Sequence, residues 1–190
     1  SSPSTLPLQA PAFDQITEEH YLPAFVAGME QNLAEIEAIA MQGDAPTFAN
    51  TIEAMEKTGA VLERVAYVFF NLTGSTVTDG LQKIQAEIAP QMAAHRDAIW
   101  LNRELFARVQ IVHAERYGLT PEQQQLTERY HVSFVRAGAL LDDDKQQRIR
   151  ELNEQASKLT PKFQERLLAD TKALAVVIDA KEELDGLSDS

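Results

Sequence analysis

The sequence predicts an all-α domain, and three observations carry that reading. Apolar residues recur at spacings of three and four along most of the chain, which places them on one face of successive helices. Helix-start signals stand where those stripes begin: Asn102 before Leu105, Thr120 directly before Pro121, and Asp142 before the longest periodic run. Between Thr51 and Thr73 the pattern changes from amphipathic (Ile52, Met55, Gly59, Leu62) to apolar all round (Val65, Ala66, Tyr67, Val68, Phe69, Phe70, Leu72). A helix with no polar face is normally a buried one. The expected architecture is a multi-helix bundle around this buried central helix, with a short strand-like run near the C-terminus.

Residues 1–16 carry Pro3, Pro7 and Pro11, which fix φ and remove donors, so an extended arm is expected. Leu6, Leu8 and Phe13 suit an arm laid on a surface. Thr17 caps a short turn through Glu18 and His20. Pro23 suits the first turn of a helix reaching about Met41, with Leu22, Phe25, Met29, Leu33, Ile36 and Ala40 as its stripe. Gly43 to Pro46 reads as a loop, and Thr47 or Asn50 as the cap of the central helix. Gly59 inside that helix costs about 1 kcal/mol relative to Ala, so a neighbour approaches closely there or the helix bends.

Gly74 to Thr76 ends the central helix, and Thr78 or Asp79 opens the next, with Leu81, Ile84, Ile88, Met92, His95 and Ile99 on one face. Pro90 inside it predicts a kink. The helix after Asn102 carries Leu105, Phe106, Val109, Val112 and His113 and stops by Gly118. The helix after Thr120 carries Leu126, Tyr130, Phe134, Ala137 and Leu141. Asp142 to Asp144 then open a stripe of Ile149, Leu152, Ala156, Leu159, Phe163 and Leu167, interrupted by Pro161. Residues 173–178 (ALAVVI) are β-branched enough for a single strand, which needs a partner outside the chain. The domain reading is an arm over 1–16, a helical lobe over 17–174, and the truncated start of a following segment over 175–190. The stripes fit no helical-repeat consensus.

Composition narrows the function classes. A chain of 190 residues, 44% hydrophobic, suits one domain with a sizeable core. Its net charge of -12 disfavours nucleic acid and anionic membranes as partners. The absence of Cys excludes disulfides and thiolate metal sites. No apolar run approaches the roughly 20 residues of a membrane span. No signal peptide is visible, and the first residue is Ser, as expected of a processed or truncated start.

The titratable residues do not assemble a catalytic motif. No two of His20, His95, His113 and His131 stand four apart, so none share a helix face as a zinc-binding pair requires. His95 and His113 lie on apolar stripes and read as core or boundary residues. His20 beside Glu18 and Glu19 reads as capping, since consecutive residues diverge by about 100° on a helix. Asp142, Asp143 and Asp144 lack the Gly and Glu of a calcium loop, with Gln147 and Asn153 in those places, and read as a helix N-terminus. Asn71-Leu72-Thr73 matches a glycosylation acceptor but lies in the helix expected to be buried. Arg136 precedes Ala137-Gly138-Ala139, a run that suits tight helix packing.

Four N-terminal stretches together carry a family pattern: 4–16 (STLPLQAPAFDQI), 19–29 (EHYLPAFVAGM), 45–59 (APTFANTIEAMEKTG) and 68–75 (VFFNLTGS). Three more follow in order: 128–141 (ERYHVSFVRAGALL), 152–173 (LNEQASKLTPKFQERLLADTKA) and 182–188 (EELDGLS). This series resembles the N-terminal region of the M3 zinc metallopeptidases, most closely their peptidyl-dipeptidase branch, beside the oligopeptidase A and thimet oligopeptidase branches. The resemblance implies an all-helical, two-lobed hydrolase with a narrow channel that removes dipeptides from the C-termini of short peptides. It implies a zinc held in the full-length parent by a His-Glu-x-x-His helix and a downstream Glu, with the motif Glu as general base. It also implies a bacterial protein of cytoplasm or periplasm.

The chain itself contains no His-Glu-x-x-His. It is therefore expected to be the N-terminal lobe alone, forming channel wall and roof, inactive by itself, with no catalytic or metal residue and no assigned substrate contact. The missing catalytic lobe is its expected partner, and self-association through an exposed docking face is expected of the isolated fragment. The alternative is a non-enzymatic helical module that binds a peptide or protein.

Overall fold

The computed structural model describes residues 6, 7, 10–76 and 78–176. Six helices of 12 to 31 residues and a one-turn helix dominate these residues, and no strand occurs among them. They are α1 (Tyr21–Ala40), α2 (Glu53–Glu56), α3 (Ala60–Ser75), α4 (Asp79–Trp100), α5 (Arg103–Ala114), α6 (Pro121–Ala137) and α7 (Asp143–Ala173). The all-α expectation is met.

The caps written in the sequence form as written. Thr78, Asn102, Thr120 and Asp142 each accept a backbone N–H of the first helical turn. Thr47 and Asn50 act together: Thr47 Oγ1 accepts the Asn50 N–H at 3.1 Å while Asn50 Oδ1 accepts the Thr47 N–H at 2.8 Å. This reciprocal pair starts a wide turn over Phe48–Ile52 that runs into α2. Asp143 and Asp144 occupy the first turn of α7, where carboxylates complement the macrodipole.

Two apolar cores share α1. One gathers Ile36, Ile39 and Ala40 with Ile52, Met55, Leu105, Phe106, Val109, Val112 and Phe134, so it joins α1 to α2, α5 and α6. The other gathers Tyr21, Phe25 and Met29 with Leu62, Phe69, Leu81 and Ile88, joining α1 to α3 and α4. Phe69 lies at its centre, with the rings of Tyr21, Phe25 and Phe70 at 5.1, 5.3 and 5.3 Å. Full burial of each such side chain contributes roughly 1.5–3 kcal/mol.

The single central helix from Thr51 to Thr73 is not what forms. The chain breaks at Lys57 to Gly59, where Gly59 takes φ +75° and becomes the N-cap of α3. The Gly59 N–H donates to Glu35 Oε2 on α1 at 2.7 Å. A left-handed residue cannot continue a right-handed helix, so glycine divides the stretch instead of bending it. Nor is α3 central. It packs against α1 and buries Leu62 and Phe69, while Tyr67 is 69% exposed and Phe70 44% exposed. Its aromatic content gives it two apolar faces, and one faces outward. Asn71 is exposed with them.

Three further expectations are modified. Residues 12–15 turn tightly, the Gln15 N–H donating to Ala12 O at 2.9 Å, while Phe13 stays exposed; the remaining arm prolines and Leu8 belong to residues 1–9, of which only 6 and 7 are described. Of the strand-like run, Ala173 ends α7 and Leu174 is its C-cap, Ala175 and Val176 form no strand, and residues 177 and 178 lie outside the described residues. Gly138 takes φ +106° as the C-terminal cap of α6, with the Ala139 N–H reaching back to Phe134 O at 3.0 Å. A Cβ there would stand 2.8 Å from Ile149 Cδ1, so the small-residue run serves a helix stop as well as close packing.

Candidate functional site

The four histidines sit on separate tasks. His20 Nδ1 accepts the Thr17 N–H at 3.1 Å and completes a cap, while neighbouring Glu18 accepts the Thr78 hydroxyl at 2.5 Å beside the start of α4. His95 is buried and meets Asn32 Oδ1 at 2.9 Å. An amide oxygen only accepts, so Nε2 carries the proton; Nδ1 is buried without a partner. Burial holds the His95 pKa below the ordinary imidazole value.

His113 and His131 are 18 positions apart in sequence, yet the pairing of α5 with α6 stacks their rings at 4.0 Å and 9°. His113 Nε2 donates to Glu128 Oε2 at 2.7 Å, and Arg116 Nε approaches the same oxygen at 3.3 Å. The hydrogen bond from His113 pulls the Glu128 pKa down. Desolvation, then the His113 charge, push the His131 pKa down. Parallel stacked rings direct their lone pairs side by side and not toward one point, so this pair does not close on an ion. Among the described residues no three His, Asp or Glu groups are placed to hold a metal. The zinc implied by the resemblance finds no ligand set among the described residues.

A groove of about 530 Å³ lies between α4, α6 and α7. Trp100, Ala93, Ala137, Ile149, Leu152 and Ala156 supply apolar lining, with Arg96, Arg136, Asn153, Ser157 and Thr160 as its polar members. Asp97, also at the groove, accepts from Asn153 Nδ2 at 2.7 Å. Its burial raises its pKa, opposed by that hydrogen bond. The groove has the chemistry to hold an apolar segment bearing acids, and it offers no nucleophile–base pair.

Arg136 is thus placed at a groove, whereas Phe69 is core, and Phe70 and Asn71 are surface residues of α3. Sequence reasoning missed Trp100 and Arg96 among its other members. The available signal was the small residues Ala93, Ala137 and Ala156, one on each helix, where the helices leave room. No helix among the described residues is long and apolar enough to cross a membrane.

Comparison with known proteins gives consistent relatives. The chain is 43% identical over 188 residues to the dipeptidyl carboxypeptidase of Escherichia coli (strain K12), covering 98% of this chain and 28% of that protein. It is 42% identical over 187 residues to the dipeptidyl carboxypeptidase of Salmonella typhimurium, covering 97% and 28%. A probable cytosolic oligopeptidase A of Arabidopsis thaliana is 23% identical over 195 residues, covering 100% and 27%. The chain therefore spans under a third of the length of these relatives. No protein-family model matches it.

Proposed function

We propose that this chain, related along its length to the dipeptidyl carboxypeptidases, is the N-terminal helical lobe of an M3-type zinc peptidase that releases C-terminal dipeptides. The observation that supports the reading is 43% identity across 98% of the chain, a match confined to 28% of the relative. The catalytic zinc and its ligands belong to the remainder of the parent. The lobe's part is to wall and roof a narrow channel, which admits short unfolded peptides and excludes folded proteins. The parent is a bacterial protein of cytoplasm or periplasm.

The test is peptide hydrolysis followed by mass spectrometry. The full-length parent and the isolated chain are each incubated with a short N-blocked peptide, with and without zinc. Release of a C-terminal dipeptide is expected from the parent, abolished by chelator, and from the chain alone no cleavage is expected. A parent that leaves the peptide intact overturns the enzymatic reading. Chelator-sensitive release by the chain alone overturns the division of labour.

A further inference from the structure

The apolar stripe of α7 is its least covered face. Leu152, Leu159, Phe163 and Leu167 are 46%, 65%, 68% and 56% exposed. At about 100° per residue they fall with Ile149 and Ala156 in one band along the helix. What α7 turns toward its neighbours is a different and more polar face. Gln146 reaches Gly138 O and Ala139 O, Asn153 reaches Asp97, and Gln164 bonds Gln85 of α4. The stripe is continuous with the groove, since Ile149, Leu152 and Ala156 line both. An apolar band of this length left bare on a chain of net charge -12 marks an interaction surface.

Charge identifies what covers it. Arg148, Lys162 and Arg166 flank one side of the band, and Arg96 and Arg136 stand at the groove on the other; all five are exposed. Glu151 pairs with Arg148 at 3.0 Å, and Asp170 follows at the distal end. A second copy in antiparallel pairing sets the flank of Arg148, Lys162 and Arg166 against the same flank of its partner, which is repulsive. The relatives supply another source of cover, because more than two thirds of their length lies outside the match, which takes in 28% of each.

We infer that the α7 stripe and the adjoining groove are the seat of an amphipathic helix with an acidic flank, contributed by the part of the parent polypeptide outside this chain. The inference rests on the reading of the chain as one lobe of a longer protein. The occupant lays apolar residues between Trp100 and Phe163 and sets carboxylates against Arg136, Lys162 and Arg166.

The experiment uses the full-length parent with benzoylphenylalanine in place of Phe163, an exposed aromatic position where the probe leaves the fold intact, and a control probe in place of Glu165 on the opposite side of α7. After irradiation, peptide mapping identifies the partner. The expected result is an intramolecular cross-link from position 163 to an acidic segment outside residues 1–190, at least several-fold above the control. Reversing Arg136, Lys162 and Arg166 to Glu is expected to cut that yield several-fold. A cross-link between two copies, a cross-link within residues 1–190, or no cross-link above the control overturns the inference. An unchanged yield in the reversed variant overturns the acidic flank. Dipeptide release is read separately on the unmodified parent, so a failure of the enzymatic reading is distinguishable from a failure of the docking surface.

Discussion

Substituting Gly59 by alanine should destabilise the lobe by about 2–5 kcal/mol. Two costs combine. The φ of +75° puts an L side chain in the left-handed region, at about 1–2 kcal/mol. The new Cβ also lands 3.0 Å from Asn32 Nδ2 and 3.2 Å from Asn32 Cγ. Asn32 is buried and has His95 at 2.9 Å, so pushing it aside by a few tenths of an ångström strains the one hydrogen bond that the buried imidazole makes, at about 1–3 kcal/mol. Against a total of about 5–15 kcal/mol this is a large fraction. Urea unfolding followed by far-UV dichroism measures it, with the midpoint expected to fall by about 1–2.5 M at a slope near 2 kcal/mol/M. In an Asn32→Ala background the clash has no target, and the cost of Gly59→Ala should shrink to the backbone component of about 1–2 kcal/mol. Equal costs in both backgrounds, or a total under about 1 kcal/mol, would refute the reasoning.

Three further outcomes are expected. His95 and His131 have folded pKa values below the unfolded value, so the unfolded state binds their protons more readily; stability is full above about pH 6.5 and falls as pH drops through the unfolded pKa toward the folded ones. Urea midpoints at about pH 7.5 and 5.0 check this, and His95→Gln should flatten the slope, whereas a midpoint rising on acidification contradicts it. Asp97, with a raised pKa, acts in the opposite sense. Arg108, buried, donates to Gln42 O at 3.2 Å, Asp44 O at 3.0 Å and Asn50 Oδ1 at 3.1 Å, and so holds the loop between α1 and α2. Arg108→Met should cost about 2–4 kcal/mol, less than three separate charged bonds because the guanidinium is no longer desolvated; a neutral variant would show that the loop is held by other contacts. Tyr130 donates its hydroxyl proton to Glu56, and burial first, then that bond, raise its pKa. In alkaline difference spectra the amplitude removed by Tyr130→Phe should be confined to the latest phase, and a loss from the early amplitude contradicts this.

What the sequence revealed was local, and what it hid depended on pairing. Caps at Thr47, Thr78, Asn102, Thr120 and Asp142 rest on contacts within one turn, and all were readable. The division at Gly59 was half readable: glycine marked the place, but whether it bends or breaks the helix depends on Glu35 and Asn32 arriving from α1. Periodicity showed which residues of α3 and α7 are apolar. It could not show that Tyr67, Leu159 and Phe163 face outward, because an apolar stripe is silent about what covers it. The stack of His113 on His131 needed the pairing of two helices, and a search for histidines four apart does not find it. The groove shares that origin, since Trp100, Arg136 and Leu152 come from three helices.

The two cores divide the lobe optically as well as mechanically. Trp100 is the only tryptophan of the chain, and it packs in the first core, with the Tyr130 and Phe134 rings at 6.1 and 4.8 Å. Its emission therefore watches one half of the molecule, while ellipticity averages over both. Helix α1 is the shared shaft, since its Tyr21 end turns in one core and its Ile36 end in the other. If the shaft is stiff, emission and ellipticity are lost together on a single curve. If it yields near Asn32, ellipticity falls first while the indole still reports an intact environment, and the lobe melts as two coupled halves.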